Sequence, residues 1–369
     1  MLQDVVVEYS PRQGGFTNTH ERATRAEIAR RLAALMGFAY AGEYDASARY
    51  SGRVYFVPSD TLMGVEQAAR LGITAEHHLF GGVVPYPFVA TKLITHPRIE
   101  TRGPAPEGWS DTFPNQVRDC VLRGFSVFTP EQAQAAGRNL LEYGPVRLKP
   151  VHATAGRGQV VVVDTIGLDD VIATLNPAEL AEAGLVLEEN LTDVITYSVG
   201  QVRVGDLAAA YYGSQRLTTD LTGNEVYGGT DLVVVRGDFG ALPRLFLSEG
   251  LRIAVEQAQV YDAATSVFSG MFASRRNYDV AQGLDASGQW RSGVLEQSWR
   301  IGGATGAEIA ALEAFQADPG LQVVRASTVE IYGASDPPPP HATLYFRGID
   351  ERIGLLTKYT VIGTHDDTR

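Results

Sequence analysis

The sequence holds a single cysteine, Cys120. One cysteine cannot close an intramolecular disulfide or build a multi-cysteine metal site, and it fits a reducing compartment. Apolar runs of membrane-spanning length are also missing, and the first ten residues lack both the basic flank and the long apolar stretch of a secretory leader. A cytoplasmic protein with no membrane partner is the expectation. Positive charge is in deficit, with 31 Lys and Arg against 43 Asp and Glu and a formal net charge of −12. That balance argues against nucleic acid as the main partner, although a local basic cleft can exist in an acidic protein. No Ser-His-Asp or Cys-His pattern is visible, and the spacing of His77, His78 and His96 matches no standard metal site.

What is present is the composition of a globular chain, 44% hydrophobic and 20% charged over 369 residues, enough for two or three packed units. Residues 1–110 read as a small α/β domain. A strand over 2–9 precedes a helix over 22–36, where Ile28, Leu32 and Leu35 recur at helical spacing against arginines and Gly37 ends the run. A strand over 54–57 then leads to a helix capped by Ser59 and Asp60 and ending near Gly72, and Lys92 lies on a helix that breaks before Pro97. Further on, Thr129 is the expected N-cap and Pro130 the first residue of the next helix.

The most informative stretch is 146–163. Alternation in Val146-Arg147-Leu148-Lys149 sends the two cations to one face and the two aliphatics to the other. Gly156 and Gly158 then allow successive backbone N–H groups to curl around an anion, with Lys149 adding a point charge. The pattern describes a phosphate-holding hairpin and, equally, a plain tight hairpin. About 40 residues beyond Lys149, a strand through Glu188, Glu189 and Leu191 could pass a purine and offer it backbone groups, with an acid for the ribose. A solvated strand end with two glutamates is the alternative. Residues 216–230 read as a polar, glycine-rich loop, 246–259 as an amphipathic helix, and 342–346 with 355–362 as a terminal hairpin.

Residues 277–282 and 290–299 read as a hairpin closed by a turn over 285–288. Glu296, Ser298 and Arg300 share a face, and this register sets Asp279 opposite Val294, one diagonal step from Glu296. Two neighbouring carboxylates repel unless a cation lies between them, and magnesium bridging nucleotide phosphates is the usual solution. A surface hairpin with scattered charges is the plain alternative.

The ordered set of Arg147-Leu-Lys149 with its Gly-Arg-Gly loop, then Val186-Leu-Glu188-Glu189-Asn-Leu191, then Asp279 and Glu296-Gln-Ser-Trp-Arg300, resembles the ATP-grasp superfamily over roughly residues 75–318. The likeness is to an uncharacterised bacterial branch with the ATP-binding fold of biotin carboxylase-like and carboxylate-amine ligase-like proteins. It implies an α/β plus α+β chain: an N-terminal α/β domain over 1–110, a lid subdomain over 111–192, an antiparallel-sheet subdomain over 193–330 and a terminal appendage over 331–369. It further implies ATP held by Lys92, Arg147, Lys149, Gly156, Arg157, Gly158, Glu188, Glu189 and Leu191. Magnesium falls on Asp279, Glu296 and Ser298, and Arg300 and Lys149 are the catalytic cations. The implied activity is ligation of a small-molecule carboxylate, activated as an acyl phosphate, to an amine or other nucleophile. A scaffold that lost the chemistry and a kinase acting on a hydroxyl are the alternatives, and homodimerisation is left open. Two departures stand out. Ser298 replaces the usual asparagine, and the long spacing from Asp279 to Glu296 leaves Asp285 as a rival metal ligand. Arg216, Arg276 and the 227–230 segment are positional candidates for anchoring the carboxylate.

Overall fold

The computed structural model describes residues 3–11, 18–100, 103–151, 158–334 and 336–363. Its amino-terminal sheet is parallel, in the order Ala39–Glu43, Val5–Tyr9, Val54–Pro58. Helix Thr19–Met36 buries Ile28, Leu32 and Leu35 as its spacing predicts, and Gly37 ends it in the left-handed conformation at φ 68°. One arginine departs from the expected outer face: Arg25 is buried and its Nε lies 2.8 Å from Glu8 Oε2. Ser59 and Asp60 do not cap a helix. A short strand, Leu62–Met63, intervenes, and the helix is only Val65–Arg70, preceded by Gly64. Lys92 stands on a short 3-10 turn, Lys92–Thr95, whose cap is the Thr91 side chain.

The lid subdomain is an antiparallel sheet in the order Gly124–Val127, Leu185–Glu189, Val146–Pro150, Val160–Val162. Helices Pro130–Leu141, Thr165–Ala173 and Pro177–Ala183 cover one face. Leu140, Val146, Leu148, Leu168, Leu180 and Leu187 form the core between sheet and helices. Val146 and Leu148 thus point into the core and Arg147 and Lys149 to the other face, as alternation requires. Thr129 caps the first of these helices by accepting from Gln132 N–H.

The largest element is an eight-stranded antiparallel sheet, running Trp290–Ser298, Arg275–Leu284, Thr192–Val204, Leu207–Thr219, Glu225–Arg236, Val323–Tyr332, Gly354–Gly363, Thr343–Asp350. Two expectations change here. The 216–230 stretch is mostly strand, with its turn closed by Asp220 Oδ1, which accepts from Thr222 N–H and Asn224 N–H. Its glycines suggested a loop, but Gly229 is there for close approach. It has φ 141°, and a Cβ would sit 2.1 Å from Thr328 O on the adjacent strand. The terminal hairpin forms, Thr343–Asp350 against Gly354–Gly363, but as part of the large sheet rather than an appendage, since Gly354–Gly363 also pairs along Val323–Tyr332. Behind the sheet lies a helix absent from the sequence expectations, Thr305–Ala317, with nine of its thirteen residues buried. It faces helix Thr19–Met36, joined by an Arg31–Glu313 ion pair. Among the described residues no helix is long and apolar enough to cross a membrane.

Candidate active site

The lid sheet brings a cation and an acid together below its surface. Lys149 is only 4% exposed, and its Nζ lies 2.5 Å from Glu188 Oε1 on the neighbouring strand. The other Glu188 oxygen is 3.0 Å from His96 Nε2. Burial favours the neutral carboxyl. The Lys149 ammonium and His96 outweigh it and hold Glu188 at about 2. Neither residue is therefore the exposed, solvated side chain that a plain hairpin or strand end would carry. His96 belongs to this cluster although its sequence spacing gave no hint of it. A trace of its seat is Gly124, where a Cβ would fall 2.8 Å from the His96 ring and 2.7 Å from Leu187 O.

The remaining lid candidates diverge. Arg147 points its fork at Asn190 Oδ1 and Gln159 Oε1. Glu189 accepts from Arg123 N–H at 2.9 Å and faces Arg123 and Arg291, away from Lys149. Leu191 is buried and Gly158 has φ 70°. Gly156 and Arg157 lie outside the described residues.

On the large sheet, Asp279 pairs directly with Glu296 rather than with Val294. The turn closes on Gln289 rather than Gly288, with Leu284 opposite Trp290, and a bulge at Leu295 adds one further residue to the outer strand. The register counted from Asp285 and Gly288 is therefore out by one at the turn and by two at Asp279. The carboxylates are therefore closer neighbours than simple counting predicts. Asp279 Oδ1 accepts from Asn277 Nδ2 at 2.9 Å and Ser198 Oγ at 3.3 Å. Burial and, next, the Glu296 charge push the Asp279 carboxyl up to about 6. Lys92 Nζ is 2.9 Å from Glu296 Oε2. Ser298 stands opposite Asn277 in the ladder, its Oγ accepting from Arg275 Nη1. Asp285 is occupied elsewhere: its Oδ1 accepts from Ser287 N–H, Ser287 Oγ and Gln289 N–H, which closes the hairpin turn.

The two halves are tied through five residues. Lys92 reaches Glu296 on the large sheet, and His96 reaches Glu188 on the lid sheet. Gln297 pins the turn leading into this segment by donating to Val89 O and Thr91 O. The chain has only three lysines, Lys92, Lys149 and Lys358, so two of the three meet acids in this region. Arg300 adds a third cation, its Nε 3.5 Å from Asp60 Oδ1.

Beneath the carboxylates lies a network that sequence reading missed. Arg275 is 1% exposed and pairs with the fully buried Glu308, whose Oε1 also accepts from Tyr211 OH at 2.6 Å. The same guanidinium donates to Ser298 O and Arg300 O, so it fixes the backbone that carries both residues. Only Glu308, on the unexpected helix, could have signalled the pairing. Arg216 and Arg276 are already engaged, with Asp231 and Thr328 O and with Asp262 respectively. Cys120 is buried, its thiol pushed up to about 12 by burial, and Sγ donates to Val117 O.

A parallel α/β unit, a four-stranded lid and a long antiparallel sheet, with their cations and acids converging between them, make up the ATP-grasp fold. Comparison with solved structures agrees. The chain is similar to D-alanyl-alanine synthetase A from Vibrio cholerae, at 12% identity and TM-score 0.50, covering 81% of this chain and 89% of that one. It is also similar to phosphoribosylamine–glycine ligase from Thermotoga maritima, at 15% identity and TM-score 0.50, covering 98% and 93%. A comparison with curated proteins finds no match. Residues 8–360 match the model of the family described as protein of unknown function DUF3182, and the chain belongs to that family.

Proposed function

We propose that the protein is an ATP-dependent ligase that activates a carboxylate as an acyl phosphate for attack by an amine or another nucleophile. The observation that carries this reading is the segment from Lys92 to His96, which joins Glu296, beside Asp279, to the buried Lys149–Glu188 pair. Magnesium suits the donors available: two hard carboxylates directly opposite each other, with Ser298 Oγ and Asn277 as neutral neighbours. Burial and, next, the Glu296 charge raise the Asp279 carboxyl, and a cation held between the two acids would favour its ionised form. When bound there, magnesium supplies charge neutralisation at phosphate oxygens.

In this reading Lys149 and Lys92 are compact point charges for phosphate oxygens, with Arg147 and Gly158 on the same lid; Gly156 and Arg157, outside the described residues, keep the role that the resemblance implies. The strand carrying Glu188 and Glu189, with Leu191 just past its end, lines the purine side, and Arg300 neutralises charge on the transferring phosphoryl group. The γ-phosphoryl passes to a carboxylate oxygen and ADP leaves. The co-substrate ammonium first loses one proton to solvent, and the free amine lone pair then forms the C–N bond as the acyl C–O bond breaks. The second nitrogen proton ends on the departing phosphate. No side-chain nucleophile takes part, in keeping with the inert environment of Cys120.

Calorimetric titration with ATP in magnesium tests the first requirement, and absence of nucleotide affinity would end the proposal. Product analysis tests the rest. A ligase releases ADP and phosphate only with both co-substrates, whereas a kinase leaves a phosphorylated product. One feature favours a nucleotide-binding scaffold instead, the hydroxyl of Ser298 where an amide is usual, and a scaffold forms no product at all.

A further inference from the structure

The amino-terminal sheet has a cleft of its own, beside the proposed nucleotide site and touching it through Asp60 and Arg300. Its central strand, Val5–Tyr9, is flanked by Ala39–Glu43 on one side and Val54–Pro58 on the other. The chain after Val5–Tyr9 goes on to Ala39–Glu43 on one side, whereas the chain after Val54–Pro58 returns on the other side, where Leu79 bridges Phe56. A crevice opens at the carboxyl ends of two neighbouring strands whose connections diverge in this way. A cavity of ≈ 200 Å³ occupies that position, walled by Tyr9 from the end of the central strand, Asp60 and Thr61 from just past Val54–Pro58, and Leu62, Gln67 and Leu71. It is smaller than the clefts of roughly 300–1,000 Å³ that take drug-sized ligands.

Its chemistry is one-sided. Among the described residues lining it, Asp60 alone carries a charge, with the polar tips of Tyr9, Thr61 and Gln67 and an apolar wall from Leu62 and Leu71. Asp60 Oδ1 accepts from Thr61 N–H at 2.8 Å, which fixes the carboxylate at the cleft. The same oxygen lies 3.5 Å from Arg300 Nε. A small ammonium with a short apolar body matches this lining; an anion meets the Asp60 carboxylate and no lysine or arginine in the wall.

We propose that this cleft binds a small primary amine through Asp60, and that this amine is the nucleophilic co-substrate. The second half of the statement rests on the ligase reading above, whereas the binding site does not. An ammonium on Asp60 would sit beside Arg300, next to where an acyl phosphate would be held, and the Asp60 carboxylate offers the nitrogen a first acceptor for a proton it must lose. Tyr9 and Gln67, on opposing elements, would select the size of the amine.

The experiment uses the full chain without nucleotide and three probes of similar shape: ethylammonium, acetamide and acetate, each titrated by calorimetry or ligand-observed NMR. Ethylammonium is expected to bind and the other two are not. Asp60→Asn is expected to weaken ethylammonium at least tenfold, and Gln67→Trp, a change at an exposed helix position that narrows the cleft, to do the same. Circular dichroism on the same samples reports that both variants are folded. Equal binding of acetamide and ethylammonium, or ethylammonium binding that survives both substitutions, overturns the proposal. ATP affinity of the unsubstituted chain is measured separately. Asp60-dependent amine binding without ATP affinity removes the ligase reading and the co-substrate role but leaves the amine site, whereas ATP affinity without amine binding removes only the site.

Discussion

Replacing Lys149 by Met removes one charge and keeps the aliphatic length, so it asks what the buried Lys149–Glu188 pair is for. In the folded protein Lys149 and His96 overcome burial and hold Glu188 at about 2, against an ordinary 4.5. The difference corresponds to about 3 kcal/mol at ~1.4 kcal/mol per pH unit, an order-of-magnitude figure for a strongly coupled pair. The sign is that of a depressed acid. The stabilisation is fully present above about pH 4.5 and is lost as pH falls through about 2. Without Lys149, burial dominates and the Glu188 carboxyl moves upward. The variant should lose about 3 kcal/mol near neutral pH, and less near about pH 4, where Glu188 can take up a proton. Urea unfolding at both pH values measures this. Lys149→Met combined with Glu188→Gln should recover much of the lost stability, because no buried charge is left unpaired, yet still fail to bind ATP. Neutral-pH stability equal to that of the parent in Lys149→Met, or a double variant no better than the single one, would refute the electrostatic account. ATP affinity retained in the folded double variant would remove Lys149 from the nucleotide site.

Other substitutions separate function from fold. Asp279→Asn should abolish turnover while stabilising the metal-free protein by ~1–3 kcal/mol at neutral pH. Its carboxyl is raised to about 6, so the ionised form disfavours the fold above that pH, and the penalty fades as pH falls toward 3.8; melting in chelator checks it. Glu296→Gln should also abolish turnover, measured as ADP release, whereas Asp285→Asn should leave turnover intact because Asp285 serves the turn. Arg275→Met should cost about 3–5 kcal/mol in urea unfolding by stranding buried Glu308, and Glu308→Gln in the same chain should restore part of it. Gly124→Ala should weaken ATP binding by displacing the His96 ring from Glu188, read as an altered His96 resonance by NMR together with calorimetry.

Much of this arrangement was legible where local rules act alone. The 3.6-residue stripe ending at Gly37 and the period of two through Val146 and Lys149 depend only on neighbouring residues, and both elements appear where their patterns put them. The pairing of Asp279 with Glu296 was nearly legible. The turn is one residue wider than 285–288, and a bulge at Leu295 adds a second step that nothing in Val294-Leu295-Glu296 announces. Residues 216–230 misled because polar and glycine residues serve strands as well as loops when a neighbouring backbone comes close, as Thr328 O does at Gly229. His96 and Glu308 were beyond reach, since each acquires its partner only by folding, His96 from Glu188 across 92 positions and Glu308 from Arg275 across 33.

The Lys92–Glu296 contact makes ligand entry an exchange of partners. A phosphate that takes hold of Lys92 weakens its grip on Glu296 beside Asp279, and a divalent cation that claims Glu296 competes with Lys92 for the same carboxylate. Arriving together, the cation replaces the charge that Lys92 gave Glu296 and the phosphate replaces the charge that Glu296 gave Lys92. Nucleotide and metal should therefore strengthen one another's binding by the same factor, as reciprocity between linked sites demands, and the cleft should discriminate against either ion on its own.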